Sequence, residues 1–186
     1  MEQESTNIQR RRWLALGGIM LGLGALPSSV QALVSTSKPL LLRLRNVNTG
    51  ESLVASHTAG RFSSKTLNQL NYIMRDRRTN QMRAIDPKLF LKLTQIQARL
   101  GMRNSEIAIV SGYRSARTNA MMRSRSRGVA SNSFHIQGKA VDFYISGVPL
   151  SKIKNAAEGL RNGGVGYYPR SNFVHVDTGP VRTWRG

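Results

Sequence analysis

Two short segments near the end of the chain, AVDFYI (residues 140–145) and NFVHVD (residues 172–177), alternate apolar and polar side chains. This alternation is typical of β-strands, in which successive side chains point to opposite faces of a sheet. The apolar neighbours of Asp142 can enter the core, which leaves Asp142 on the other face. In the second segment the valines can enter the core, and His175 and Asp177 share the opposite face. The two segments therefore predict a sheet that carries polar, chemically active side chains on one side.

These side chains, with a nearby histidine, could form a metal site. His135 precedes the first segment, and His135, Asp142 and His175 together offer two imidazoles and a carboxylate. Such a set is sufficient for a catalytic zinc ion that keeps its fourth position for water. The alternative is that these histidines and aspartates are only hydrogen-bonded partners in the core or at the surface. The third histidine, His57, has no acidic or histidine neighbour at ligand spacing and is predicted to lie in a surface loop.

Composition narrows the chemistry further. The 186 residues include no cysteine, so disulfides and thiolate zinc sites are excluded, and any metal must be held by His, Asp, Glu or backbone oxygen. The length is typical of one domain with a proper core.

The remaining segments predict helices packed on a small sheet. The string LLLRLRNVNTGESLVAS predicts a hairpin that turns at Asn48-Thr49-Gly50, and residues 107–110 predict a short buried strand. Helices are expected to begin near Ser63, at Asp86-Pro87 and near Leu150, and ARTNAMMRSRSRG is expected to be a helical or irregular crossover. The fold class is therefore α+β, with a mostly antiparallel sheet.

Residues 1–32 have the features of an export signal. Arg10-Arg11-Arg12 precede a glycine-rich apolar run of about 14 residues, which is short for a span of the bilayer, and small residues follow up to Ala32. The string QRRRWLALGG resembles the twin-arginine pattern, although Ala15 replaces the usual lysine. We expect export to the periplasm through the twin-arginine machinery with cleavage after Ala32; an uncleaved inner-membrane anchor is the alternative. A short leader is expected over residues 33–41, followed by one domain over residues 42–186 with no membrane span.

The formal net charge of +19 predicts an anionic partner. Nucleic acid would be the first candidate from charge alone. Export, however, separates the protein from the nucleic acid of the cytoplasm. The anions that remain are cell-wall peptides, lipid head groups and lipopolysaccharide. Several arginines could attract such polymers or simply form a solvated face: Arg114, Arg117, Arg123, Arg125 and Arg127.

Four motifs in order resemble the LAS-type zinc peptidases, in the exported YcbK-like branch. Residues 133–142 match the pattern S-x-H-x-x-G-x-A-x-D, and residues 111–115, SGYRS, match a second element upstream. The NVNTGE hairpin and the string GGVGYYPRSNFVHVDTGPVRTW (residues 163–184) complete the resemblance, which covers about residues 42–184. It implies a LAS/hedgehog-like peptidase fold and hydrolysis of peptide bonds in peptidoglycan stem peptides, as in D-alanyl-D-alanine carboxypeptidases and L-alanyl-D-glutamate endopeptidases.

The resemblance also implies roles for individual residues. His135, Asp142 and His175 would bind Zn²⁺, which would polarise the scissile carbonyl and lower the pKa of bound water. Arg114 would stabilise the oxyanion or hold a substrate carboxylate, and Ser133 would hydrogen-bond the substrate or orient the ligand loop.

One position departs from the family pattern. Many members carry a catalytic glutamate three residues before the last histidine, and Asn172 stands there in this chain. Asp177 could replace that glutamate as the base, or it could orient an imidazole. A cell-wall-binding protein that keeps the fold without catalysis is the alternative function. Among the aromatic residues, Tyr167, Tyr168 and Trp184 could line a substrate groove or simply pack together.

Overall fold

The computed structural model of the chain describes residues 40–126 and 128–186. The predicted signal, residues 1–32, and most of the predicted leader, residues 33–41, lie outside this part and stay predictions. The first strand begins at Leu40, so the last two residues of the predicted leader belong to the sheet. Among the described residues, no helix is both long and apolar enough to cross a membrane.

The strands of the described region form one seven-stranded sheet. They are β1 (Leu40–Asn46), β2 (Ser52–His57), β3 (Glu106–Ser111), β4 (Ala140–Ile145), β5 (Gly164–Tyr168), β6 (Phe173–Asp177) and β7 (Arg182–Arg185). The strand order is β2-β1-β3-β4-β6-β5-β7. Only the β1–β3 and β5–β7 pairs are parallel. The predicted α+β class with a mostly antiparallel sheet is therefore confirmed.

Four α-helices accompany the sheet: α1 (Ser64–Ile73), α2 (Pro87–Arg99), α3 (Ala116–Arg125) and α4 (Leu150–Glu158). The predicted starts of α1 and α2 agree with their caps. Ser63 Oγ accepts the N–H of Thr66, and the Asp86 carboxylate accepts the N–H of Lys88. Such side-chain acceptors satisfy N–H groups that the first helical turn leaves free.

The core lies between the helices and the central strands. Leu89, Phe90, Leu93 and Ile96 of α2 are fully buried. Val141 and Phe143 of β4 and the valines of β6 belong to the same core cluster. The opposite face of β4 and β6 is therefore left for the polar residues.

The position of His57 differs from the prediction. It is the last residue of β2 and is only 5% exposed, so the expected surface-loop position is wrong. The alternation of β2 places it on the same face as buried Ala55, and its ring lies 5.0 Å from that of Phe62. Neither ring nitrogen has a hydrogen-bond partner among the described residues.

The register between β4 and β6 brings the polar residues together. Asp142 pairs with His175, and Ala140 pairs with Asp177. Both strands lie inside the sheet, with β3 beyond β4 and β5 beyond β6. The polar face is thus held by pairing on both sides.

Candidate metal centre

Three ligand atoms meet where β4 and β6 adjoin the loop before β4. His135 Nε2 lies 3.2 Å from both His175 Nδ1 and Asp142 Oδ1, and these last two atoms are 2.8 Å apart. Ligand atoms around a tetrahedral zinc ion with bonds of about 2.0 Å lie about 3.3 Å from one another. All three side chains are buried. The set therefore fits zinc and leaves one coordination position for another ligand.

The SGYRS segment orients the His135 ring. His135 Nδ1 donates to the carbonyl oxygen of Gly112 at 2.7 Å, so Nε2 carries the lone pair that faces Asp142. A Cβ atom at Gly112 would lie 2.5 Å from the carbonyl oxygen of Met74. Only glycine therefore allows the backbone to pass this close, which gives a physical reason for the second residue of that motif.

Asp177 lies within hydrogen-bond distance of the other imidazole. His175 Nε2 lies 3.1 Å from Asp177 Oδ2 and can donate its proton there, which leaves Nδ1 as a lone-pair atom towards Asp142. A carboxylate behind a ligating histidine fixes both its tautomer and its ring direction. The two histidines thus offer different nitrogens to a metal ion, Nε2 from His135 and Nδ1 from His175.

The electrostatics of this cluster favour a cation. Burial lowers the pKa of His135, so this ring is neutral. Burial alone would raise the pKa of Asp142, but the adjacent imidazoles hold it well below its usual value. Burial would also lower the pKa of His175, yet hydrogen bonds to Asp142 and Asp177 raise it. Without a cation, a proton on His175 would have to lie between the acceptor atoms of His135, Asp142 and His175. A metal ion accepts the lone pairs of all three atoms.

Asp177 itself is enclosed on every side. It is 0% exposed, and its carboxylate accepts the backbone N–H groups of Gly164 and Gly179, both at 2.9 Å. It also accepts from Arg182 Nη2 at 2.6 Å. Burial would raise the pKa of Asp177, but the hydrogen bonds from His175, Arg182 and the backbone lower it far below its usual value. Its proton affinity is therefore weak, and its oxygens are already engaged.

Arg114 and Ser133 lie beside the ligands. Arg114 Nη2 donates to Asp142 Oδ2, and Arg114 Nε donates to Ser111 Oγ at 2.9 Å. The guanidinium therefore pairs with the Asp142 oxygen that does not face the histidines. Ser133 Oγ accepts the backbone N–H of His135 at 3.3 Å. Both residues line a cleft that opens over the three candidate ligands.

A cleft of about 730 Å³ opens over the three ligands. Tyr168 and Trp184 line it, and Trp184 Nε1 donates to the Tyr168 hydroxyl at 2.8 Å. Tyr167, by contrast, is packed against the core. The Trp184 ring lies 5.2 Å from that of His175.

The sequence interpretation missed β7, which brings Arg182 and Trp184 to this cleft. The sequence holds only a short signal for this strand. Residues 181–184, VRTW, alternate β-branched and longer side chains directly after a Gly-Pro turn.

The departure at Asn172 has a local explanation. Asn172 ends the 3-10 turn Pro169–Ser171 with φ 56° and ψ 44°, a left-handed conformation that asparagine tolerates better than most residues. It is exposed and does not line the cleft. Among the described residues that line the cleft, only Asp142 carries a carboxylate.

Comparison with known proteins agrees with this geometry. The family model described as peptidoglycan L,D-endopeptidase MepK matches residues 34–184. The chain belongs to this family. A probable MepK of Haemophilus influenzae is 61% identical over 178 residues, which cover 95% of this chain and 96% of the relative. The MepK of Escherichia coli K12 is 51% identical over 176 residues, which cover 94% of this chain and 96% of the relative.

The MepK family belongs to the M15 peptidases, which depend on zinc. The predicted LAS-type resemblance, the zinc cofactor and the enzyme class, a zinc-dependent peptidoglycan peptidase, are confirmed by this membership. The alternative of a wall-binding protein without catalysis has no support from the comparisons. An enzyme that acts on peptidoglycan works either outside the cell or in the periplasm.

Proposed function

We propose that the chain hydrolyses L,D peptide bonds in peptidoglycan, with zinc held by His135 Nε2, Asp142 Oδ1 and His175 Nδ1. The observation that carries this proposal is the convergence of three buried lone-pair atoms on the floor of an open cleft. The bond type follows from the printed description of the matching family and of its relatives. When bound, zinc supplies a Lewis acid that polarises a carbonyl group and activates water.

Of the two roles predicted for Asp177, orientation of His175 has the stronger support. A general base must be able to reach its proton and to hold it. Asp177 is fully buried, its oxygens accept from two backbone N–H groups, and Arg182 lowers its pKa further. We therefore assign it to holding the imidazole so that Nδ1 faces Asp142.

Arg114 supplies fixed positive charge beside the reacting bond. Its ion pair with Asp142 Oδ2 restricts that carboxylate to one oxygen at the ligand cluster. Its position in the cleft lining supports the predicted contact with the oxyanion or with a substrate carboxylate. We assign Ser133 to orienting the loop that carries His135, because Ser133 Oγ accepts the backbone N–H of His135.

We further propose that residues 1–32 direct export by the twin-arginine route. The arginine cluster and the short, glycine-rich apolar run support this route. A folded, metal-loaded protein would then reach the periplasm. Replacement of Arg10 and Arg11 by lysine should retain the protein in the cytoplasm, whereas unchanged periplasmic levels would contradict the route.

Digestion of purified sacculi with and without a zinc chelator tests the proposed activity. Mass analysis of the fragments should show new termini at L,D bonds that are absent with chelator and absent with Asp142→Ala. Fragments that form equally in Asp142→Ala would show that another site cuts, and cleavage at other bonds would overturn the assigned specificity.

A further inference from the structure

The charges of the cleft do not balance. Four arginines line it: Arg78, Arg114, Arg125 and Arg182. Arg114 pairs with Asp142, and Arg182 pairs with Asp177. In the described part of the chain, neither Arg78 nor Arg125 forms an ion pair or a side-chain hydrogen bond. Two guanidinium groups therefore face the cleft without an anion.

The loop that carries Arg78 is held in place. Asp76, only 2% exposed, accepts the backbone N–H of Arg78 at 2.9 Å and that of Ser115 at 2.8 Å. Asp76 N–H donates to the carbonyl oxygen of Gln81 at 2.9 Å, which closes the loop. The backbone of Arg78 is thus fixed against the start of α3, while its guanidinium has no partner. A fixed backbone reduces the conformational entropy that Arg78 loses when its guanidinium binds a partner.

The charges near Arg78 also favour binding of an anion. Partial burial lowers the pKa of Arg78, the positive charges of Arg77, Arg114 and Arg125 lower it further, and the Asp76 carboxylate raises it. An anionic group beside these arginines would relieve the repulsion. Met122 and Val129 add apolar lining to the same cleft. The lining thus combines aliphatic side chains with cationic ones.

We propose that Arg78 and Arg125 bind a carboxylate of the substrate peptide, carried on an aliphatic side chain or chain end, while the scissile bond lies at the metal centre. This inference rests on the proposed function. A guanidinium binds carboxylate through paired N–H donors, and two of them select a charged group over its neutral amide.

The test compares two double variants with equal loss of charge. Arg78→Gln/Arg125→Gln removes the pair, whereas Arg77→Gln/Arg123→Gln removes two exposed neighbours that do not line the cleft. The probes are muropeptides released from sacculi, with free carboxylates or with the same carboxylates amidated. Affinity is measured by calorimetry on metal-free protein, and kcat and KM are measured on zinc-loaded protein.

The unmodified protein and the control variant should bind the free acid about tenfold or more tightly than the amide. Arg78→Gln/Arg125→Gln should lose this preference and show a raised KM with kcat largely kept. If both double variants keep the preference for the free acid over the amide, or if both lose it equally, the carboxylate site is overturned. The affinity for muropeptides does not depend on catalysis. Selective binding of the free acid without cleavage of L,D bonds would therefore overturn the proposed function and leave the carboxylate site standing.

Discussion

At the scale of single residues, the site depends on how each imidazole is turned. His135 is fixed by a backbone carbonyl and His175 by a carboxylate, so each presents one lone pair to Asp142. The partners behind the ligands therefore matter nearly as much as the ligands themselves.

Asp177→Asn tests whether this residue orients His175. The amide keeps the size of the side chain but removes its charge, and we expect zinc affinity to fall about 10- to 100-fold. Competition with a chromogenic chelator measures that affinity. A catalytic base would give a different result, namely unchanged zinc affinity with a collapsed kcat.

Lys92 is a buried cation behind the site. Its Nζ donates to the carbonyl oxygens of Gly164 and Asp177, at 3.3 and 3.0 Å. Burial lowers its pKa to about 8 from 10.5. The unfolded chain therefore binds more protons than the folded chain between these values, so the contribution of Lys92 to stability rises with pH across that window.

Lys92→Met should remove this dependence. Relative to the variant, the metal-free unmodified protein should gain up to about 3 kcal/mol of unfolding free energy between pH 8 and pH 10.5. Urea denaturation of both proteins at several pH values measures the difference. Parallel stability curves would show that the Lys92 ammonium is not destabilised by burial.

At the scale of elements, the close packing of β5 against β7 shapes one side of the cleft. Gly166 pairs with His175 on β6 and with Trp184 on β7. A Cβ atom at Gly166 would lie 2.6 Å from the Trp184 ring. The Trp184 indole can therefore lie beside His175 because Gly166 has no side chain.

Gly166→Ala should displace the indole and destabilise the protein by about 1–3 kcal/mol, with reduced activity. Adding Trp184→Ala to this variant should cost less stability than Trp184→Ala costs alone, because the clash is then gone. Thermal unfolding of the two single variants and the double variant gives this coupling. Strictly additive losses would contradict the steric account.

The sequence predicted the elements that carry strong local signals. Side-chain alternation identified β4 and β6, and the caps Ser63 and Asp86 identified two helix starts. Alternation also placed Asp142 and His175 on one face, but it could not give the register that pairs them. Register depends on non-local pairing, which a single segment does not encode.

Other features depended on tertiary contacts. β7 is short and exposed apart from Trp184, so its pattern is weak. His57 is predicted at the surface because it has no acidic or histidine neighbour at ligand spacing, and its packing against Phe62 arises only on folding. The enclosure of Asp177 by Arg182 and two glycine N–H groups likewise arises only on folding.

At the scale of the whole molecule, charge and cleft point to the same substrate. The net charge of +19 attracts an anionic wall polymer over long distances, and the unpaired arginines of the cleft offer a specific contact for one carboxylate. The first effect is screened by salt and the second much less so.

The central claim is that one zinc ion, held by His135, Asp142 and His175, carries out peptidoglycan hydrolysis. The most direct measurement is sacculus digestion while zinc is titrated into chelator-stripped protein. Activity should be absent at the start and should rise linearly to a plateau at one zinc per chain, while Asp142→Ala stays inactive at every zinc concentration. Full activity of the stripped protein, or zinc-dependent activity of Asp142→Ala equal to that of the unmodified chain, would contradict the claim.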